Sequence, residues 1–76
     1  MTDNTAKRDA RAFERWFEEA KLTWPMELMR LGTFALLALK TLDQPNVPDI
    51  LVREAAKDLA NFSAAYAAHM ASHYGP

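Results

Sequence analysis

His69 and His73 are the residues whose type and spacing come nearest to a metal site. They are four residues apart in a segment with a helical pattern, so both imidazole rings would lie on one side of the helix. A metal site normally needs at least one further ligand, and the chain contains no cysteine. We therefore expect neither a metal nor another cofactor. We interpret the histidines as residues of a helix C-terminus, where positive charge is favourable.

Residue types used in nucleophilic and acid–base catalysis are present but poorly placed. Ser63 and Ser72 do not stand in the glycine-flanked context of a nucleophile elbow. Glu14, Glu18 and Glu19 follow basic residues on a face that we expect to be exposed, where nothing would tune them for proton transfer. With only two glycines, the sequence has no phosphate-binding loop. We expect that the protein is not an enzyme.

The first predicted helix carries its charges in the order that the helix dipole disfavours, with basic residues before acidic ones. Such a basic cluster can face an acidic protein surface or a phosphate backbone. We predict that Arg8, Arg11 and Arg15 contact a partner, with Trp16 and Tyr74 as aromatic anchors. A solvated face whose charges pair locally would explain the same order.

A dimeric nucleic-acid-binding regulator that uses this basic face is the alternative function. Reading bases requires a polar helix that can enter a groove. The second predicted helix is too apolar for that role, and the third offers only Arg53, Lys57 and Asn61 on its outer face. Protein binding is therefore the preferred interpretation, and nucleic-acid binding is kept as the alternative.

Composition limits the chain to one ordinary globular domain. It has 76 residues, of which 50% are hydrophobic and 25% are charged, and its formal net charge is −1. The charged N-terminal segment lacks the apolar region of a signal peptide. The most apolar stretch, 24–42, contains Glu27, Arg30 and Lys40, which argues against a transmembrane helix. Together with the absence of cysteine, these features predict a cytoplasmic protein with no membrane partner.

Apolar residues recur at steps of three and four along most of the chain, and no alternating run predicts a strand. Pro25 suits the start of a helix, and the loop at 43–49 contains Pro45 and Pro48. We predict helices at about 5–22, 25–43 and 48–74, the last two forming an antiparallel hairpin. The expected fold is an all-α, three-helix, mostly antiparallel bundle, with residues 1–76 as one domain and 1–4 disordered.

Two features suggest more apolar and small-residue surface than one small bundle can bury. The apolar face of the second helix extends well past half of its circumference, and Leu37 interrupts the remaining polar strip. From Leu59 to the end there is no Asp, Glu, Lys or Arg, and the outer face of the third helix is alanine. We predict a homodimer in which Leu37, Ala64, Ala68 and Ala71 take part in self-association.

These observations predict a small, non-catalytic protein–protein interaction module that acts through helix surfaces as an adaptor, regulator or inhibitor. Its size is common among accessory proteins of bacteria and phages. The residues do not identify the partner.

Overall fold

Three α-helices make up the bundle, as the sequence predicts. The computed structural model describes residues 5–74, with side chains from Asp9 onward, so the predicted disorder of residues 1–4 lies outside the described residues. Helix α1 is Thr5–Ala20, α2 is Met26–Leu42 and α3 is Asp49–Tyr74. A short 3-10 helix at Lys21–Thr23 extends α1 to about the predicted end.

The connection between α1 and α2 is short because two extended residues reverse the chain. The Trp24 N–H donates to the Lys21 carbonyl oxygen at 3.0 Å, and the Thr23 hydroxyl donates to the Ala20 carbonyl oxygen at 3.1 Å. Trp24 and Pro25 then adopt extended backbone with ψ of 151° and 154°. The preference of a residue before proline for extended backbone explains the Trp24 conformation. Pro25 is therefore the N-cap of α2, whereas the sequence predicts it to be the first residue of that helix.

The connection between α2 and α3 produces the predicted antiparallel hairpin. The Asp43 N–H donates to the Leu39 and Lys40 carbonyl oxygens, and the Gln44 N–H donates to the Thr41 carbonyl oxygen at 3.0 Å. Asn46 has a φ of 57°, in the left-handed region that asparagine tolerates better than most residues. The chain can then turn before Pro48 and enter α3.

Helix α1 packs antiparallel to α2, with Phe17 of α1 against Gly32 of α2. Phe17 is 2% exposed, and its ring lies directly over the Gly32 backbone. An added Cβ at Gly32 would be 2.4 Å from the Phe17 Cε1 atom, which is too close for a real contact. The missing side chain at Gly32 therefore lets α1 lie against α2, in agreement with the close approach that small residues permit.

Aromatic side chains connect α1 to α3. The Phe13 ring packs edge-to-face on Phe62 with ring centroids 5.5 Å apart. The Trp24 ring lies 5.7 Å from Phe62 and 5.7 Å from Tyr66, centroid to centroid. Phe62 is buried with Leu28 and Ala35 of α2, so all three helices meet at this ring. Bulky rings fill this part of the core, where α1 and α3 are not packed backbone against backbone.

One side of the α2–α3 hairpin is not covered by α1. Gly32 and Phe34 are two residues apart on α2, which places them on nearly opposite sides of the helix. Gly32 is buried under α1, whereas Phe34 is 46% exposed. The bundle therefore has a closed side, where α1 packs, and an open side between α2 and α3.

Within residues 5–74, the three helices are each too short or too polar to span a lipid bilayer.

Candidate interaction surface

The two histidines are close together at the end of α3. Their ring centroids are 4.4 Å apart, and the His73 ring lies 6.0 Å from Tyr74. His69 is partly buried and His73 is exposed. Among the side chains from Asp9 to Tyr74, no three His, Cys, Asp or Glu residues are grouped closely enough to hold a metal ion.

Trp16 and Tyr74, the two predicted aromatic anchors, have different environments. Trp16 is 39% exposed, and its ring packs edge-to-face on Trp24 at 5.3 Å and on Tyr66 at 5.4 Å between centroids. It therefore belongs largely to the aromatic cluster that holds α1 in place. Tyr74 is 74% exposed and borders an open cleft of about 420 Å³ that Trp16 and His73 also line.

The charged surface of α1 is mixed in sign. Arg11 and Arg15 are exposed, while the side chain of Arg8 lies outside the described residues. Glu14 forms an ion pair with Lys40 of α2 at 3.5 Å, and Glu18 forms one with Lys21 at 3.0 Å. Acidic side chains therefore alternate with Arg11 and Arg15, two of the arginines predicted to contact a partner. Among the described side chains of α1, no basic face is separate from an acidic one.

The four residues predicted for self-association are divided between α2 and α3 and are spread along the hairpin. Ala64, Ala68 and Ala71 are exposed on α3, where the chain has no charged residue after Asp58. Leu37 is 53% exposed on α2 and lies beside Leu51, near the other end of α3. The rise of α3 from Leu51 to Ala68 is about 25 Å, so Leu37 and the alanines do not form one compact patch.

Leu37 instead belongs to a groove on the open side of the hairpin, which we call the α2–α3 groove. At one end it contains a cleft of about 200 Å³ that includes Phe34, Leu37 and Leu51. A second cleft, of about 600 Å³, lies further along the same two helices and includes Leu31 and Ala68. The lining residues on α2 include a set that recurs at steps of four and three, as expected for one continuous face, with Leu28 and Leu37 beside it: Glu27, Leu31, Phe34, Ala38 and Thr41.

Three large apolar side chains are exposed around the narrower cleft. Phe34 is 46% exposed, Leu37 is 53% exposed and Leu51 is 45% exposed. The sequence predicts Leu37 to be a surface residue and makes no such prediction for Phe34 or Leu51. The breadth of the apolar face of α2 was the available signal, because a helix that is apolar over most of its surface cannot bury all of it against two neighbours.

In comparisons with protein-family models, with curated protein sequences and with solved structures, nothing matches this chain.

Proposed function

We propose that this protein is a small protein–protein interaction module, an adaptor, regulator or inhibitor that binds its partner in the α2–α3 groove and acts without catalysis. The observation that supports this proposal is the clustering of exposed Phe34, Leu37 and Leu51 around one cleft on the open side of the hairpin.

Clustering matters more than exposure here. Single apolar side chains are common on protein surfaces and need no special explanation. In this bundle, however, α2 contributes Phe34 and Leu37 and α3 contributes Leu51 to the same depression. A concave surface that combines exposed apolar side chains from two helices is suited to receive a side chain from another protein, because burying these groups is favourable.

The dimensions of the groove suit a helical partner. From Glu27 to Thr41, α2 rises by about 21 Å, which equals about 14 residues of a bound helix. Helix-in-groove recognition uses apolar side chains at intervals of three and four along a partner of this length. The groove could therefore contact about four turns of a partner helix.

Self-association through the alanine face of α3 is a separate proposal. Ala64 and Ala71 are exposed, and Ala68 is exposed at the edge of the wider cleft. Small side chains would allow a helix of a second copy to approach closely. The cytoplasmic location and the alternative nucleic-acid-binding function stay predictions, and the mixed charges around Arg11 and Arg15 add no support to the latter.

A comparison of two leucine variants tests the proposed surface. Leu37→Gln removes the apolar group in the groove, whereas Leu22→Gln makes the same chemical change at a site that is 80% exposed and does not line the groove. In pull-downs from the cells that make this protein, we expect wild type and Leu22→Gln to retain the same partner. We expect Leu37→Gln to bind that partner about tenfold more weakly, as for a buried interface residue.

Circular dichroism should show that both variants keep the helical content of wild type, since both positions are exposed. Equal partner recovery by the three baits, or no specific recovery by any of them, would contradict the proposed function.

A further inference from the structure

We infer that the α2–α3 groove accepts a basic amphipathic helix of another protein in preference to a second copy of this chain. This inference rests on the proposed function, in which the groove is the docking surface, and it adds the charge of the partner.

Acidic side chains accompany the apolar ones in the groove. Glu54 and Asp58 are one helical turn apart on α3 and line the narrower cleft together with Phe34, Leu37 and Leu51. Glu27 lines the wider cleft. The residues lining these two clefts include three acidic groups, no lysine or arginine, and two histidines, His69 and His73, in the wider cleft. A helix that inserts an apolar side chain into the narrower cleft would bring its neighbouring residues against Glu54 and Asp58.

The nearest lysine and arginine side chains lie outside the clefts. Arg30 and Lys57 are exposed within one helical turn of Phe34 and Glu54, respectively, and neither lines either cleft. In the groove the described side chains show no ion pair for Glu54 or Asp58, whereas Glu14 and Glu18 of α1 have lysine partners. Lysine or arginine residues of a bound helix could therefore pair with Glu54 and Asp58 without displacing an existing ion pair.

A second copy fits this charge distribution poorly. A two-fold symmetric contact places the residues near the axis opposite their own copies. The lining of the two clefts on α3 runs from Leu51 to His73, so a two-fold axis at the middle would set the narrower cleft of each copy on the wider cleft of the other. Glu54 and Asp58 would then meet Glu27, and no lysine or arginine lines the wider cleft. Like charges in an interface disfavour association. Self-association, where it occurs, is better suited to the uncharged alanine face of α3.

Two synthetic peptides test the inference with the full chain. Both are 18-residue amphipathic helices with the same leucines at steps of four and three, but one carries lysines beside the leucines and the other carries glutamates. In fluorescence anisotropy at low salt, we expect the lysine peptide to bind about tenfold more tightly than the glutamate peptide, from two or three exposed ion pairs. The preference should shrink as salt is added.

Charge reversal identifies the side chains responsible. The double variant Glu54→Lys/Asp58→Lys should bind the glutamate peptide more tightly than the lysine peptide. The control double variant Asp9→Lys/Glu19→Lys makes the same change in net charge on exposed positions of α1 and should keep the wild-type preference.

Other outcomes overturn the inference in distinguishable ways. Equal affinity for both peptides, weakened by Leu37→Gln, would show that the groove binds helices without selecting charge, and the proposed function would stand. No peptide binding, combined with a dimer that Leu37→Gln converts to a monomer in light scattering, would show that a second copy occupies the groove. No peptide binding and no effect of Leu37→Gln on molecular mass would contradict both the inference and the proposed docking surface.

Discussion

Replacing Gly32 with alanine tests how Phe17 of α1 packs against α2. On an isolated helix this change would stabilise α2 by about 1 kcal/mol, because alanine has a much higher helix propensity than glycine. In the folded bundle, the new Cβ would lie 2.4 Å from the Phe17 Cε1 atom and 3.0 Å from the Cζ atom. The packing of α1 against α2 therefore decides the sign of the effect.

The Phe17 ring has little freedom to move away. Its centroid lies 5.7 Å from that of Phe13 and 5.6 Å from that of Trp24, and Lys21 Nζ is 5.2 Å from the centre of the ring. Overpacking of a well-filled core costs about 1–3 kcal/mol. After subtraction of the gain in helix propensity, we expect Gly32→Ala to lower the free energy of unfolding by about 0–2 kcal/mol.

A second substitution, Phe17→Leu, tests the contact whatever the net effect of Gly32→Ala on the free energy of unfolding. Phe17→Leu removes the Cε1 and Cζ atoms, the two nearest to the new methyl group, and leaves only a Cδ atom near it, at a cost of about 1–2 kcal/mol in the Gly32 background. In the Phe17→Leu background, Gly32→Ala should be stabilising, because the propensity gain is no longer opposed by the ring. The two substitutions should therefore show a favourable coupling of about 1 kcal/mol or more.

Urea titration followed by the fluorescence of Trp16 and Trp24 measures all four proteins of this double-mutant cycle, at one protein concentration and with comparison of the m-values. An increase of about 1 kcal/mol for Gly32→Ala in the wild-type background would refute the reasoning. It would mean that the Phe17 ring does not lie on the α2 backbone and that α1 is positioned in another way.

Two further predictions concern the core and the alanine face. Phe62→Ala should lower the free energy of unfolding by about 3–5 kcal/mol, because this buried ring contacts all three helices, and should strongly reduce the folded fraction measured by circular dichroism. The control Tyr74→Ala should leave the unfolding midpoint unchanged. Retention of the wild-type midpoint by Phe62→Ala would contradict its central position. Ala68→Glu should convert a dimer into a monomer, as measured by light scattering, and the surface control Glu19→Gln should not. An unchanged mass for Ala68→Glu would contradict self-association through the alanines.

Local features of the sequence were sufficient to predict the secondary structure and the hairpin. Helix periodicity and the positions of Pro25, Pro45 and Pro48 act over a few residues, and the predicted helix boundaries differ from the observed ones by no more than two residues. The apolar residues at steps of three and four that predict the helices include Ala10, Phe17 and Phe62, and all three are buried. The Phe17 ring lies against Gly32.

The exposed surface depended on how the helices pack, which the sequence alone did not reveal. Helix α2 is apolar around most of its circumference, so its pattern is compatible with α1 on more than one side. Packing of α1 over Gly32 leaves Phe34 exposed, and the position of α3 leaves Leu51 beside Leu37. The ring of Trp16, predicted to be an anchor for a partner, packs on Trp24 and Tyr66 from other parts of the chain and is still 39% exposed.

The sequence by itself thus determined where helices form and turn, because hydrogen bonds within a helix and the constraints of proline are local. Tertiary structure decided which apolar side chains remain exposed, because burial depends on side chains that are distant in the chain. The α2–α3 groove exists because α1 covers only one side of the hairpin. The packing of α3 on α2 brings acidic side chains of α3 beside apolar side chains of α2.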